Sequence, residues 1–177
     1  MNIFKIIQNK IDRRCPIKYA KKIGVKIGND CRFTGNPAWG SEPWLIQIGN
    51  HVLLSSQINF ITHDGATFLF RDTDEYKNVF KFAPIVIHDN CFVGMRSTIL
   101  PGVEIGPNSI VAAGSVVTRS IPEGEVWGGV PARFIKTTKE YADKCKENKL
   151  PYDMELYNKD MKKEILRVTH LMYDFFK

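Results

Sequence analysis

Large apolar residues return at every sixth position along the middle of the chain. Between Pro84 and Ile121 they form one column of Ile87, Val93, Ile99, Ile105, Val111 and Val117. A second, mostly smaller column lies four places further on, at Cys91, Ser97, Val103, Ser109, Ser115 and Ile121. A period of six matches neither the period of about 3.6 of an amphipathic helix nor the two-residue alternation of a lone strand. It fits a chain that turns a corner every six residues, so that each side of a prism supplies one large inward residue and one small one near the corner. Three sides make a coil of roughly 18 residues, the sequence signature of a parallel β-helix. Ile87 then stacks under Ile105, Val93 under Val111, Ile99 under Val117 and Asn90 under Asn108. The two asparagines fall at corners that need a left-handed backbone, and Gly94, Gly102, Gly106 and Gly114 relieve the same steric limit elsewhere.

The sixfold phase begins at Ile27, fails across GNPAWGSEP (35–43), resumes at Ile48 and is lost again across GATFLFRDTDEYKNVFKFAP (65–84). A loop of this length inside a domain is usually functional or partner-binding. Phe68, Phe70, Tyr76, Phe80 and Phe82 make it too aromatic for a solvated excursion, so it is expected to pack on an adjacent subunit. Residues 1–22 read as an amphipathic helical segment packed on the domain or a neighbouring subunit, with at most peripheral membrane contact through Lys5, Lys10, Arg13 and Arg14. Residues 23–136 are the β-helix domain, and 137–177 a helical extension expected to cap its open end. In that extension Met161, Ile165, Val168, Met172 and Phe175 recur at alternating steps of four and three. The fold class is therefore an all-β solenoid with a protruding loop, an N-terminal helix and a C-terminal helical tail.

Composition narrows the class. With 177 residues, 44% hydrophobic and 25% charged, the chain is an ordinary folded domain. No apolar run approaches the roughly 20 residues that span a bilayer. Cys15, Cys31, Cys91 and Cys145 are scattered without a C-x-x-C pair, which reads as reduced thiols in a cytoplasmic protein. The net charge of +6 is dispersed rather than gathered into a nucleic-acid footprint, and a polyanionic small molecule accounts for it equally well. No nucleic-acid partner is expected.

The repeat, the segment ITHDG (61–65) ahead of the long loop, and the endings GSVVTR (114–119) and GGVPAR (128–133) resemble the hexapeptide-repeat acyltransferases. GSEPWLI (40–46) and FITHDG (60–65) resemble, within these, the O-acetyltransferases of surface-polysaccharide biosynthesis. The resemblance covers roughly residues 23–136. It implies a left-handed coil, against the usual crossover preference, and a homotrimer with active sites between subunits. It also implies transfer of acetyl from acetyl-CoA, as co-substrate, to a small-molecule sugar acceptor.

His63 is the candidate catalytic residue. Acyl transfer needs a base for the attacking group's proton, and free imidazole titrates near pH 6.5. His63 also stands where the repeat stops and the aromatic loop departs, as the family's histidine does. Asp64 or a backbone carbonyl is expected to orient the ring. By resemblance Ala113 and Thr118 line the pantetheine groove, while Arg119, Arg133 and Lys136 face the phosphates, for which guanidinium forks are suited. Trp127 and Pro131 sandwich the adenine or wall the groove. The corner at Gly94 and Met95 is a candidate oxyanion donor. For the acceptor, Trp39, Trp44 and Tyr76 offer stacking surfaces, and Asn36 or Glu42 offers hydrogen bonds. No close histidine pair exists among His51, His63, His88 and His170, so no metal is expected. An amine acceptor, on a nucleotide-linked amino sugar or an antibiotic, and a non-catalytic scaffold are the alternative readings.

Overall fold

A computed structural model describes residues 15–174, with side chains to residue 169. Residues 1–14 of the expected N-terminal helical segment, the tail positions Phe175 and Phe176, and the side chain of Met172 lie outside these. The chain divides into two compact units, 1–139 and 140–177.

The first unit opens with α1 (Pro16–Lys22), started by Pro16 and stopped at Gly24, whose φ is +106°. Short strands then wind around a prism: β1 (Lys26–Ile27), β2 (Arg32–Phe33), β3 (Ile46–Ile48), β4 (Leu53–Leu54), β5 (Asn59–Phe60), β6 (Ile85–Ile87), β7 (Phe92–Val93), β8 (Thr98–Ile99), β9 (Glu104–Ile105), β10 (Ile110–Val111) and β11 (Val116–Val117). They stack into three parallel sheets, β1-β3-β6-β9, β2-β4-β7-β10 and β5-β8-β11. β12 (Glu125–Gly129) continues the second sheet in parallel, and β13 (Ala132–Thr137) folds back on it antiparallel. The parallel β-helix expected from the period is thus present. The register is the expected one, with Ile87 on Ile105, Val93 on Val111 and Ile99 on Val117.

Burial follows the two columns. The six large residues are at most 1% exposed, each worth about 1.5–3 kcal/mol of transfer free energy. The small column is buried too, and its polar atoms are satisfied by corner carbonyls. Ser97 Oγ donates to Gly94 O at 2.8 Å, Ser109 Oγ to Pro122 O at 2.8 Å, and Ser115 Oγ to Ala112 O at 2.6 Å. Small hydroxyls therefore suit these corners better than methyl groups, because the carbonyls behind them need donors.

One corner column is left-handed at Asp30, His51, Asn90 and Asn108, with φ from 53° to 57°. Its side chains form a ladder: His51 Nδ1 to Asn90 Oδ1 at 2.8 Å, then Asn90 Nδ2 to Asn108 Oδ1 at 2.6 Å. Of the four glycines assigned to left-handed corners, Gly102 and Gly114 have positive φ, but Gly94 and Gly106 do not. At Gly94 the requirement is space instead, since a Cβ there would collide with the backbone of Ala113 one coil above.

Two excursions interrupt the stacking. Partners across residues 65–84 lie 39 apart instead of 18. Its stems close as a short antiparallel ladder, with His63 bridged to Phe82 and Ala83 N–H donating to Thr62 O at 2.9 Å. The loop itself starts as a 3-10 turn (Gly65–Phe70), capped by Asp64 Oδ1 on Ala66 N–H at 3.0 Å. The other excursion, 35–43, contains Trp39. This residue was expected at the acceptor, but it is 5% exposed and its ring lies on Phe60 at 5.1 Å and 1°. Its ring joins the core because Trp39 takes the inward position six residues after Phe33, and its neighbour Ala38 bridges in parallel to Asn59 of the next coil.

The second unit contains α2 (Thr138–Glu147, beginning in the first unit), α3 (Met154–Lys159) and α4 (Met161–Asp174). The second tail helix, expected to start at about Met154 or Asp160, starts at Met161, and a separate short helix precedes it. Asp160, at φ −150°, separates the two and then caps α4 by accepting Lys163 N–H at 3.0 Å. Of the expected apolar face, Val168 is buried while Met161 and Ile165 are exposed. Glu164 is buried, accepting from Arg167 Nη2 and from Asp153 N–H, each at 2.6 Å.

Candidate active site

His63 sits three residues beyond β5, where the chain leaves the prism for the aromatic loop. Thr62, just before it, is fully buried, and its backbone is held by Ala83. The imidazole is half-buried against Phe82, with ring centroids 5.7 Å apart.

Glu42 reaches the ring from the previous coil. Its Oε2 lies 2.9 Å from His63 Nδ1 and accepts the Thr62 hydroxyl at 2.6 Å. Asp64, expected as an orienting group, instead caps the 3-10 turn Gly65–Phe70 and stands 3.6 Å from Lys81 Nζ. Glu42, considered above for the acceptor, is thus the residue that holds the histidine. The Thr62 hydrogen bond is the main cause holding the Glu42 carboxyl below its ordinary value of 4.5, with the His63 hydrogen bond and charge adding to it against partial desolvation. An ionised carboxylate only accepts, so the proton of the 2.9 Å hydrogen bond resides on Nδ1. The Nε2 lone pair is then directed outward. On that side stands Gly65, where even a Cβ would be 3.9 Å from Nε2.

Two clefts meet at this imidazole. One of about 430 Å³ is walled by Ile61, His63, Lys81, Leu100, Pro101 and Thr118. The other, of about 260 Å³, includes Ser41, Glu42, His63, Arg71, Phe80 and Lys81. Thr118, expected in the pantetheine groove, is therefore brought to the histidine within one chain. Ala113 is exposed at the corner above Gly94. Arg119 is exposed just after Thr118, and Arg133 and Lys136 project from β13. Pro131 is exposed at the β12–β13 turn. Trp127 is 9% exposed, and its Nε1 donates to Glu125 Oε2 at 2.6 Å. None of these last six lines either cleft at His63.

Among the acceptor candidates, Asn36, Trp44 and Tyr76 are exposed but line neither cleft. The Gly94 N–H, part of the expected oxyanion corner, is spent on Val111 O at 2.8 Å. His51 belongs to the corner ladder, and His88 faces Glu104 on the outside. Among the described residues no three His, Cys, Asp or Glu side chains converge as a metal site.

The family described as bacterial transferase hexapeptide, with six repeats, matches residues 84–119. Protein CapG of Staphylococcus aureus is 48% identical over 130 residues, covering 72% of this chain and 74% of that protein. A 2,3,4,5-tetrahydropyridine-2,6-dicarboxylate N-acetyltransferase of S. aureus is 43% identical over 65 residues, but only 27% of its length is spanned. Among solved structures, the hexapeptide-repeat acetyltransferase VCA0836 of Vibrio cholerae superposes with a TM-score of 0.53 at 23% identity, over 71% of this chain and 81% of that one. That likeness, with the repeat, makes the coil a left-handed β-helix. Repeat, register and relatives agree, and the chain belongs to the hexapeptide-repeat acyltransferases.

Proposed function

We propose that this protein transfers the acetyl group of acetyl-CoA to a hydroxyl of a sugar or surface-polysaccharide precursor. His63 acts as general base, in a cytoplasmic homotrimer. The observation that carries the reading is the Thr62–Glu42–His63 hydrogen-bonded set, which fixes the ring tautomer and turns Nε2 toward the two clefts.

In the proposed reaction Nε2 takes the acceptor hydroxyl's proton as its oxygen attacks the thioester carbonyl. The imidazolium so formed is held by the Glu42 carboxylate. Collapse of the tetrahedral intermediate breaks the carbon–sulfur bond, and the imidazolium returns its proton to the departing thiolate. The products are an acetyl ester and free coenzyme A, with no covalent acyl-enzyme. Thr118 lies along the donor arm, and Arg119, Arg133 and Lys136 meet its phosphates, across subunits where one chain does not bring them to His63.

The trimer reading draws support from the loop, whose Phe68 and Leu69 are 71% and 85% exposed, a cost in water that a neighbouring copy removes. The test is a calorimetric titration with acetyl-CoA of the intact protein and of an Arg119, Arg133 and Lys136 triple Ala variant. Binding at one site per chain, weakened in the variant, supports the reading; no binding by the intact protein overturns it. An acceptor panel scored for thiol release separates hydroxyl from amine acceptors.

A further inference from the structure

The 260 Å³ cleft beside His63 is lined by a cation, Arg71, that is paired with no carboxylate among the described residues. Arg71 Nε is buried without a hydrogen-bond partner, and the guanidinium lies 4.8 Å from the Phe80 ring centroid. The Phe80 contact leaves the buried Nε donor unpaired, and buried donors are ordinarily satisfied. The cleft's two carboxylates do not serve it. Glu42 is engaged by Thr62 and His63, and Asp64 by Ala66 N–H and Lys81.

We infer that this cleft receives an anionic group of the acceptor, a carboxylate or phosphate, on the Arg71 fork with Lys81 beside it. The inference rests on the proposed transfer, since His63 lines the same cleft and the anion and the reacting hydroxyl belong to one molecule. A planar guanidinium presents paired N–H groups that match the oxygens of either anion. Lys81, which meets Asp64 Oδ2 at 3.6 Å and is 69% exposed, lines the same cleft as a solvated cation. The volume lies below the roughly 300–1,000 Å³ of ordinary small-molecule pockets. It thus suits a sugar ring bearing one charged substituent, with any larger remainder of the acceptor outside.

The test uses three probes that share a ring and differ in charge: glucuronate, glucose 1-phosphate and glucose. Thiol release from acetyl-CoA is followed with the full chain and with Arg71→Gln and Arg71→Lys. At least one anionic probe is expected to exceed glucose in kcat/KM by about tenfold, the scale of one charge-assisted hydrogen bond. Which of the two does so tells carboxylate from phosphate. Arg71→Gln removes the preference through KM, and Arg71→Lys restores part of it. Equal use of all three probes by the intact protein, or a preference that survives in Arg71→Gln with an intact melting transition, overturns the inference.

A second arm reads the anion without turnover. Inorganic phosphate and acetate are titrated calorimetrically with coenzyme A already present at saturation. Binding lost in Arg71→Gln but kept in the Arg119, Arg133 and Lys136 triple Ala variant supports an anion site distinct from the donor's. Absence of thiol release with every acceptor would sink the transfer reading alone, whereas absence of both anions from the intact protein would sink the anion site alone.

Discussion

Replacing Glu42 by Gln isolates what the carboxylate's charge does for His63. Gln keeps an oxygen where Thr62 donates at 2.6 Å and where the ring nitrogen approaches at 2.9 Å, so ring and tautomer stay in place. What disappears is the negative charge beside the imidazolium formed at the transition state. A hydrogen bond to a charged group is worth about 1.5–3 kcal/mol. The His63 side chain is 37% exposed, so water screens part of this and the lower figure applies. About 1.5 kcal/mol corresponds to roughly a tenfold fall in kcat. The assay is steady-state thiol release at saturating acetyl-CoA and acceptor, with acetyl-CoA affinity measured separately and expected to be unaltered. Glu42→Ala should lose more, because it frees the ring and strands the fully buried Thr62 hydroxyl. A well-folded Glu42→Gln protein with wild-type kcat would refute the assignment and leave Glu42 a structural acceptor for Thr62.

Three further outcomes follow from the packing and the charges. Because the Glu42 carboxyl is held below 4.5, its stabilising contribution is complete above that value and fades as pH falls through the lower folded one. The melting-temperature gap between wild type and Glu42→Gln is therefore expected to be full at neutral pH and to narrow in acid, as a calorimetric pH series would read. Ile99→Ala removes a fully buried side chain from the large column and should cost about 2–5 kcal/mol in urea unfolding. Gly94→Ala drives a methyl group into the Ala113 backbone; a loss of about 1–3 kcal/mol is expected in the same experiment, and wild-type stability would show that the coils can part there.

The solenoid was legible because its period is enforced by geometry at every coil. Each of Ile87 to Val117 repeats the same inward position, and 18-residue stacking then determines the register. His63 was legible for a related reason, since the end of the phase marks where the chain leaves the prism. Its partner was not: Glu42 lies 21 residues back, the offset that also pairs Ile27 with Ile48 and Phe33 with Leu54, but it sits inside the stretch 35–43, which reads as an irregular loop, so its place on the coil was hidden. Trp39 was misjudged although it keeps the phase, six residues after Phe33 and twelve after Ile27; the Gly- and Pro-rich residues around it read as a loop and masked an inward position that stacks on Phe60. The left-handed corners at Asp30, His51, Gln57 and Arg96 were equally hidden. Their side chains tolerate the conformation where a ladder bond such as Arg96 Nε to Gln57 Oε1, at 2.9 Å, helps to offset its cost.

The most direct test of the account is His63→Ala, assayed for thiol release with acetyl-CoA and the best acceptor of the charged-sugar panel, alongside an acetyl-CoA titration of the same variant. The account predicts a fall in kcat of about 10²–10⁴, the usual contribution of a positioned general base, with donor affinity retained. Turnover at the wild-type rate in a protein that still binds acetyl-CoA would contradict it, and His63 would then be a corner residue held by Glu42 for the fold alone.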